Sequence, residues 1–199
     1  SKTRTVRVIK QSWIRTQMEK GVKRESLVSY QLLMTPLVTV AIISHNMAKS
    51  LRDCLEALRA QSFNDFEIVL VDDRSSDGTR EIVHPIADPR IRYFRNDRRL
   101  GYGATRNLSL KEVRGKYVFF TDADCIPEKN WLERGLAAYR ERNCIGLVGR
   151  TLPLGESTRR SDRRVENLKG YFMTCNMSFT APILQELGGF DPAFDVGQE

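Results

Sequence analysis

Two carboxylate clusters, each placed where a β-rich run of residues stops, carry most of the chemistry available to this chain. Val69-Leu70-Val71 leads into Asp72-Asp73-Arg74-Ser75-Ser76-Asp77-Gly78-Thr79, and Tyr117-Val118-Phe119-Phe120 leads into Thr121-Asp122-Ala123-Asp124. In an open α/β sheet the ends of parallel strands line the ligand crevice, so acids there face a bound nucleotide and its metal rather than bulk solvent. Two acids one residue apart can divide labour, one giving oxygen to a hard divalent cation and the other accepting from ribose hydroxyls. A departing diphosphate develops negative charge that such a cation stabilises. D-x-D alone is common on loops; its position directly after Tyr-Val-Phe-Phe-Thr gives it weight.

Asp73 follows a buried strand in the manner of the acid that grips a ribose or a base edge in doubly wound folds. Asp77 sits in an Asp-Gly-Thr turn signal and reads as a cap. Gly101-Tyr102-Gly103 lacks the third glycine and the leading strand of a dinucleotide fingerprint. It does let the backbone approach a ligand, and it sets Arg106 on the first turns of a helix, where an anion is welcome. His45, beside Asn46 at the end of the first strand, is placed to line a pocket, whereas His84 reads as a surface residue. Two histidines so far apart make no metal cluster. The absence of Gly-x-Ser-x-Gly argues against a serine hydrolase, and that of Gly-x-x-x-x-Gly-Lys against a P-loop NTPase.

These residues need a scaffold of alternating strands and helices. Leu37 to Ser44 reads as the first strand, and Leu51, Cys54, Leu55 and Leu58 recur at helical spacing behind it. Phe66 to Val71, Ile91 to Phe94, Tyr117 to Thr121 and Ile145 to Val148 are expected strands. Helices are expected around Glu81 to His84, after Gly103, and through Trp131, Leu132, Leu136 and Tyr139. This alternation implies βαβ units and a mainly parallel sheet. Further on, Gly155 to Arg164 reads as a polar, arginine-rich surface loop able to close over a ligand, Phe172 to Thr180 as a strand and Pro182 to Leu187 as a short helix before the Gly188-Gly189 breaker.

A chain of 199 residues suits one substantial domain. Its formal charge of +7 is concentrated at the start, for residues 1–35 hold eight basic side chains against Glu19 and Glu25. That basic opening segment is expected to be helical or flexible, with peripheral contact to an anionic membrane surface as one use for it. It lacks the interleaved aromatics that stack bases, so no nucleic-acid partner is expected. Cys54, Cys125, Cys144 and Cys175 form no CxxC pair, and no secretory leader is evident, which suggests neither a zinc site nor a disulfide framework and fits a reducing cytoplasm.

Taken together, the chain resembles the family-2 inverting glycosyltransferases of the GT-A fold, from about Leu37 to its last residue. The resemblance rests on Val38 to Asn46, Ala60-Gln61-Ser62-Phe63, Phe66 to Asp73, Ala104-Thr105-Arg106-Asn107 and Asp122-Ala123-Asp124. It implies a Rossmann-like α/β domain over residues 36–199, with a mainly parallel central sheet and flanking helices. It also implies a nucleotide-diphosphate sugar donor of the UDP or GDP class, Mn²⁺ or Mg²⁺ as cofactor, and a glycan, lipid or protein acceptor. By position it puts Ser44, His45 and Asn46 at the nucleoside, Asp73 at the base, Asp122 at the ribose, Asp124 at the metal and Arg106 on the nucleotide. Asn176 and Met177 would face the donor sugar or acceptor. Gly188-Gly189-Phe190-Asp191 resembles the turn before the catalytic segment, and Gly197-Gln198-Glu199 the start of the Glu-Asp pair whose aspartate is the general base. Glu199 would then neighbour a base lying beyond the chain end. His45, where the family more often has an aromatic residue, is a departure. A non-catalytic sugar-nucleotide-binding domain is the main alternative; a haloacid-dehalogenase-type phosphatase, which also follows a strand with D-x-D, wants a different residue at Ile126 and later motifs this sequence lacks.

Overall fold

Seven consecutive buried residues make each of two neighbouring strands, β1 (Val38–Ser44) and β2 (Phe66–Asp72). Uninterrupted burial arises when both faces of a parallel strand are covered by other layers. The computed structural model describes residues 35–152 and 174–192, all but Thr35 lying in a unit that runs from Pro36 to Glu199. β3 (Ile91–Arg95), β4 (Tyr117–Asp122), β5 (Gly146–Val148) and β6 (Met177–Thr180) complete a six-stranded sheet in the order β3-β2-β1-β4-β6-β5. β3, β2, β1 and β4 are parallel, while β6 runs antiparallel to both β4 and β5.

The pleat sorts side chains to two faces. Val38, Val40 and Ile42 of β1 join Ile68, Leu70 and Phe119 beneath α1 (Ala48–Arg59) and α4 (Trp131–Arg142). Ala41 meets Val118, Phe120 and Leu184 on the other face, and Ile43 meets Val69 and Val71. Leu51, Cys54, Leu55 and Leu58 form the buried stripe of α1. α2 (Thr79–Val83) and α5 (Ala181–Glu186) are short. α3 (Tyr102–Lys111) differs from the rest, since its buried residues are Gly103, Thr105 and Ser109. Small and hydroxylated residues let that helix sit close to the strand ends.

Gln61 joins α1 to α4: its amide nitrogen donates to the Glu128 carbonyl at 2.7 Å and its amide oxygen accepts from Leu132 N at 3.2 Å. At the opposite end of the sheet from the acid clusters, Thr39 Oγ1 donates to Glu67 Oε1 at 2.8 Å and accepts from Gly115 N at 2.9 Å. A Cβ on Gly115 would lie 2.4 Å from the Thr39 nitrogen.

The strand expected over Phe172 to Thr180 is shorter than the sequence suggests. Only Met177–Thr180 is strand; Thr174–Asn176 is a single 3-10 turn, and 172–173 lie outside the described residues. The chain leaves the ladder because Asn176 is committed elsewhere: it accepts from Trp131 Nε1 at 2.9 Å and donates to the Arg150 carbonyl at 3.0 Å. The expected loop at 155–164, the basic segment before residue 35, and Glu199 also lie outside the described residues.

Candidate nucleotide site at the strand ends

β1 ends at Ser44, β2 at Asp72 and β4 at Asp122, and the register sets Ser44 beside Asp72 and Ile43 beside Asp122. The parallel run steps outward from β1 to β2 and β3 on one side and to β4 on the other. Ligands of open α/β sheets bind outside the carboxyl ends of strands where the order reverses in this way.

Ser44 is buried, 3% exposed, and its hydroxyl is the one buried side-chain polar atom without a hydrogen-bond partner among the described residues. Leaving such a group unmet costs about 1–3 kcal/mol, so its persistence points to a ligand that meets it. It lines a small cavity with Ile43, His45, Asp73, Tyr102 and Thr105. Asp73 closes that cavity. Its Oδ1 accepts from Asn96 Nδ2 at 2.7 Å and Leu100 N at 2.8 Å, and its Oδ2 from Gly101 N at 2.9 Å. An ionised carboxylate has about four acceptor sites, so roughly one remains. Asp73 thereby builds the segment from Asn96 to Gly101 as well as facing the cavity.

His45 Nδ1 lies 2.7 Å from the Asp73 carbonyl, an acceptor only, so Nδ1 carries the proton and Nε2 accepts from Asn46 Nδ2 at 3.3 Å. Asn46 takes the left-handed conformation at φ 56°. Its N–H donates to Ser75 Oγ at 2.9 Å and its Oδ1 accepts from Ser76 N at 2.8 Å. His45 and Asn46 thus tie the end of β1 to the loop after β2. Asp72 is wholly buried and accepts from Tyr93 Oη at 2.5 Å and Ser75 N at 2.7 Å. Asp77 caps a helix, though by tertiary contact as well as locally: its Oδ2 accepts from Ala48 N, the first residue of α1, at 2.8 Å, while Oδ1 serves Thr79.

The second cluster faces Arg106. Arg106 Nη2 lies 3.4 Å from Asp122 Oδ1, with side chains 15% and 27% exposed. The guanidinium also lies 5.9 Å from the ring centres of Tyr102 and of Phe190. Burial raises the Asp122 carboxyl above its ordinary value; Arg106 opposes this and neighbouring Asp124 adds to it. Asp124 itself is exposed. Two adjacent carboxylates with one raised by burial form a site that gains from a cation. Their hard oxygen donors fit Mn²⁺ or Mg²⁺, which commonly take one or two carboxylates and complete the shell with phosphate oxygens and water. Among the described residues no group of three or more His, Cys, Asp or Glu side chains is placed to hold a metal ion.

Two features escape the sequence reading. Asn107 donates through Nδ2 to the Phe190 carbonyl at 2.7 Å and accepts at Oδ1 from Phe190 N at 2.8 Å. This bracket pins the Gly188-Gly189-Phe190 turn beside Arg106; Gly189, at φ 86°, is needed because a Cβ there would lie 2.5 Å from Asn107 Oδ1. Phe190 completes the contact edge-on to Phe120 at 5.3 Å. The signal was present, for Asn107 lies one turn along α3 from the buried Gly103. The second is that the Cys125 and Cys175 thiols perturb one another, which raises Cys125 and draws Cys175 down to about 7. Asn176 and Met177 lie on the β6 side of the same region, Met177 opposite Phe120, with the Asn176 amide engaged as described.

A model of the family described as glycosyl transferase family 2 matches residues 39–190, which include every strand end described above. The chain belongs to glycosyl transferase family 2. Among its relatives, glycosyltransferase AglE of Haloferax volcanii is 34% identical over 118 residues, covering 57% of this chain and 38% of its own. The putative teichuronic acid biosynthesis glycosyltransferase TuaG of Bacillus subtilis is 35% identical over 126 residues, covering 62% and 50%. The chain therefore spans half or less of the length of these relatives. Two solved structures share the fold: S. aureus TarS, with TM-score 0.68 and 22% identity over 79% of this chain and 31% of that one, and the mannosyltransferase PcManGT of Pyrobaculum calidifontis in complex with GDP-Man and Mn²⁺, with TM-score 0.66 and 23% identity over 79% and 48%. The α/β sheet with flanking helices is thus the family's GT-A fold.

Proposed function

We propose that the protein transfers a sugar from a nucleoside-diphosphate sugar of the UDP or GDP class to an acceptor hydroxyl with inversion, and that the described residues form the donor half of its site. The observation that carries this reading is the unmet hydroxyl of Ser44 in a cavity it shares with Asp73, next to the Asp122-Arg106 pair. Structural neighbours solved with UDP-GlcNAc and with GDP-Man and Mn²⁺ support the donor class.

In this reading the base enters the cavity between Ser44, Asp73 and Tyr102, with the remaining acceptor site of Asp73 facing its N–H edge. His45 and Asn46 shape the border, since their polar atoms already serve the protein. Asp122 accepts from the ribose, and Arg106 meets phosphate charge. Asp124 holds Mn²⁺ or Mg²⁺ together with the diphosphate; the cation, when bound, neutralises charge that develops on the leaving oxygen. Met177 and Asn176 border the donor sugar or acceptor, Asn176 as a strut. Inversion requires a base that takes the acceptor proton opposite the departing diphosphate.

A saccharide, lipid or protein hydroxyl is the acceptor; TuaG, named for teichuronic acid biosynthesis, supports a cell-envelope polysaccharide. A cytoplasmic protein held at the inner membrane face through residues 1–35 suits that chemistry, and no helix among the described residues is long and apolar enough to cross a membrane. Calorimetric titration of UDP, GDP, UDP-GlcNAc and GDP-Man with Mn²⁺ present tests the donor reading. Saturable binding of one nucleotide class is expected; binding of none would overturn it.

A further inference from the structure

We infer that Arg99 reads the base of the donor, and that with Ser44 and Asp73 it selects a dioxopyrimidine, the base of uridine and thymidine nucleotides, over guanine and cytosine. This rests on the donor reading above and narrows it. Arg99 lines the same small cavity as Ser44 and Asp73. It is exposed and makes no hydrogen bond or ion pair among the described residues. The neighbouring arginines differ, for Arg74 donates to the Asp97 carbonyl and Arg95 to the Ser75 carbonyl.

The segment that carries Arg99 is fixed by the carboxylate it flanks. Asn96 N donates to the Asp72 carbonyl at 2.9 Å, and Asn96 Nδ2 to Asp73 Oδ1. The two residues after Arg99 give their N–H groups to Asp73, Leu100 to Oδ1 and Gly101 to Oδ2. The backbone at Arg99 is therefore set before a ligand arrives, which lowers the cost of using its side chain.

The unmet groups of this cavity come in a definite order. Asp73 follows β2, Ser44 ends β1 on one side of β2, and Arg99 lies in the segment after β3 on the other. Asp73 has roughly one acceptor site left. Arg99 can only donate, and the Ser44 hydroxyl hydrogen has no acceptor. The wall thus offers donor, acceptor, donor.

A dioxopyrimidine presents the complement, a ring N–H between two carbonyls. Guanine presents one carbonyl beside two N–H donors, so its amino group would face the guanidinium or take the Ser44 oxygen and leave the Ser44 hydrogen unmet. Cytosine has the size of uracil but sets an acceptor nitrogen against the Asp73 carboxylate. Each mismatch leaves polar groups unpaired, and a site built on hydrogen bonds rejects such analogues strongly.

Calorimetric titration of the full chain in excess Mn²⁺ with UDP, dTDP, GDP and CDP tests this selection. UDP or dTDP should bind about tenfold or more tighter than GDP and CDP, and the order of those two tells uridine from thymidine donors. Arg99→Ala should weaken binding of the preferred nucleotide and narrow its gap to CDP, with the ratio of affinities in Mn²⁺ and in EDTA unchanged. Arg98→Ala, next in the chain but outside the cavity wall, should change neither. A GDP or CDP affinity equal to or above that of both UDP and dTDP would overturn the inference and leave the donor reading standing. So would an Arg99→Ala protein that loses affinity for every nucleotide alike, as a general attraction for phosphate would produce, or one that keeps every affinity. Binding of none of them would overturn the donor reading and this inference with it.

Discussion

Asp122 lies where burial works against its charge, and this sets its behaviour with pH. A carboxyl raised in the folded state favours folding in its protonated form. That contribution is full below the unfolded value near 3.8 and is lost as pH rises through the folded value. At neutral pH without metal, Asp122 is therefore a local cost. Asp122→Asn should raise the melting temperature of the metal-free protein at pH 7 and weaken nucleotide binding; thermal melts at pH 7 with the same titration check both, and a lowered melting temperature would contradict the burial argument. Ser44 makes the same point with a neutral group. Ser44→Ala removes a buried hydroxyl that has no partner, so it should stabilise the free protein by about 1 kcal/mol while weakening binding of the nucleotide. Urea denaturation reads the first effect, and a loss of stability would mean the hydroxyl is satisfied by the fold.

At the scale of elements, the site depends on how α3 and the turn after α5 are held. Asn107→Ala removes both hydrogen bonds to the Phe190 backbone and should cost about 1–3 kcal/mol. It should also weaken nucleotide binding, because Phe190 backs Arg106; unchanged affinity would separate the turn from the site. Gly115→Ala acts at the far end of the sheet, where its Cβ would press on the Thr39 backbone. A loss of about 2 kcal/mol or more in denaturant is expected, with nucleotide affinity of the folded fraction unchanged. The order of strands and helices is legible in the sequence because Val40 to Ile43, Ile68 to Val71 and Tyr117 to Phe120 are apolar runs and α1 keeps a clean stripe of Leu51, Leu55 and Leu58. α3 is less legible, since it buries Thr105 and Ser109 rather than an apolar stripe. The turn at Thr174–Asn176 reads as strand because its departure from the ladder depends on Trp131 and Arg150, far away in sequence. The acids at the strand ends were readable as a pair, whereas the roles of Asn46, Asp73 and Asn176 as internal struts depend on partners that only folding supplies.

Across the whole molecule, the described fold sets Asp72, Asp73, Asp122 and Asp124 at the carboxyl ends of β2 and β4, while the sequence carries its excess positive charge in residues 1–35. A donor that binds the folded chain with its cation should stabilise it by mass action. At this scale the reading turns on Asp124 holding a metal shared with the diphosphate, beside an Asp122 that meets the ribose. Its most direct test is the affinity of UDP and GDP measured by calorimetry with Mn²⁺ and with EDTA, in the wild type and in Asp124→Ala. The wild type should bind one nucleotide more tightly in Mn²⁺ by about tenfold or more, and Asp124→Ala should fold normally and lose that difference. Equal metal dependence in the two proteins would contradict the account.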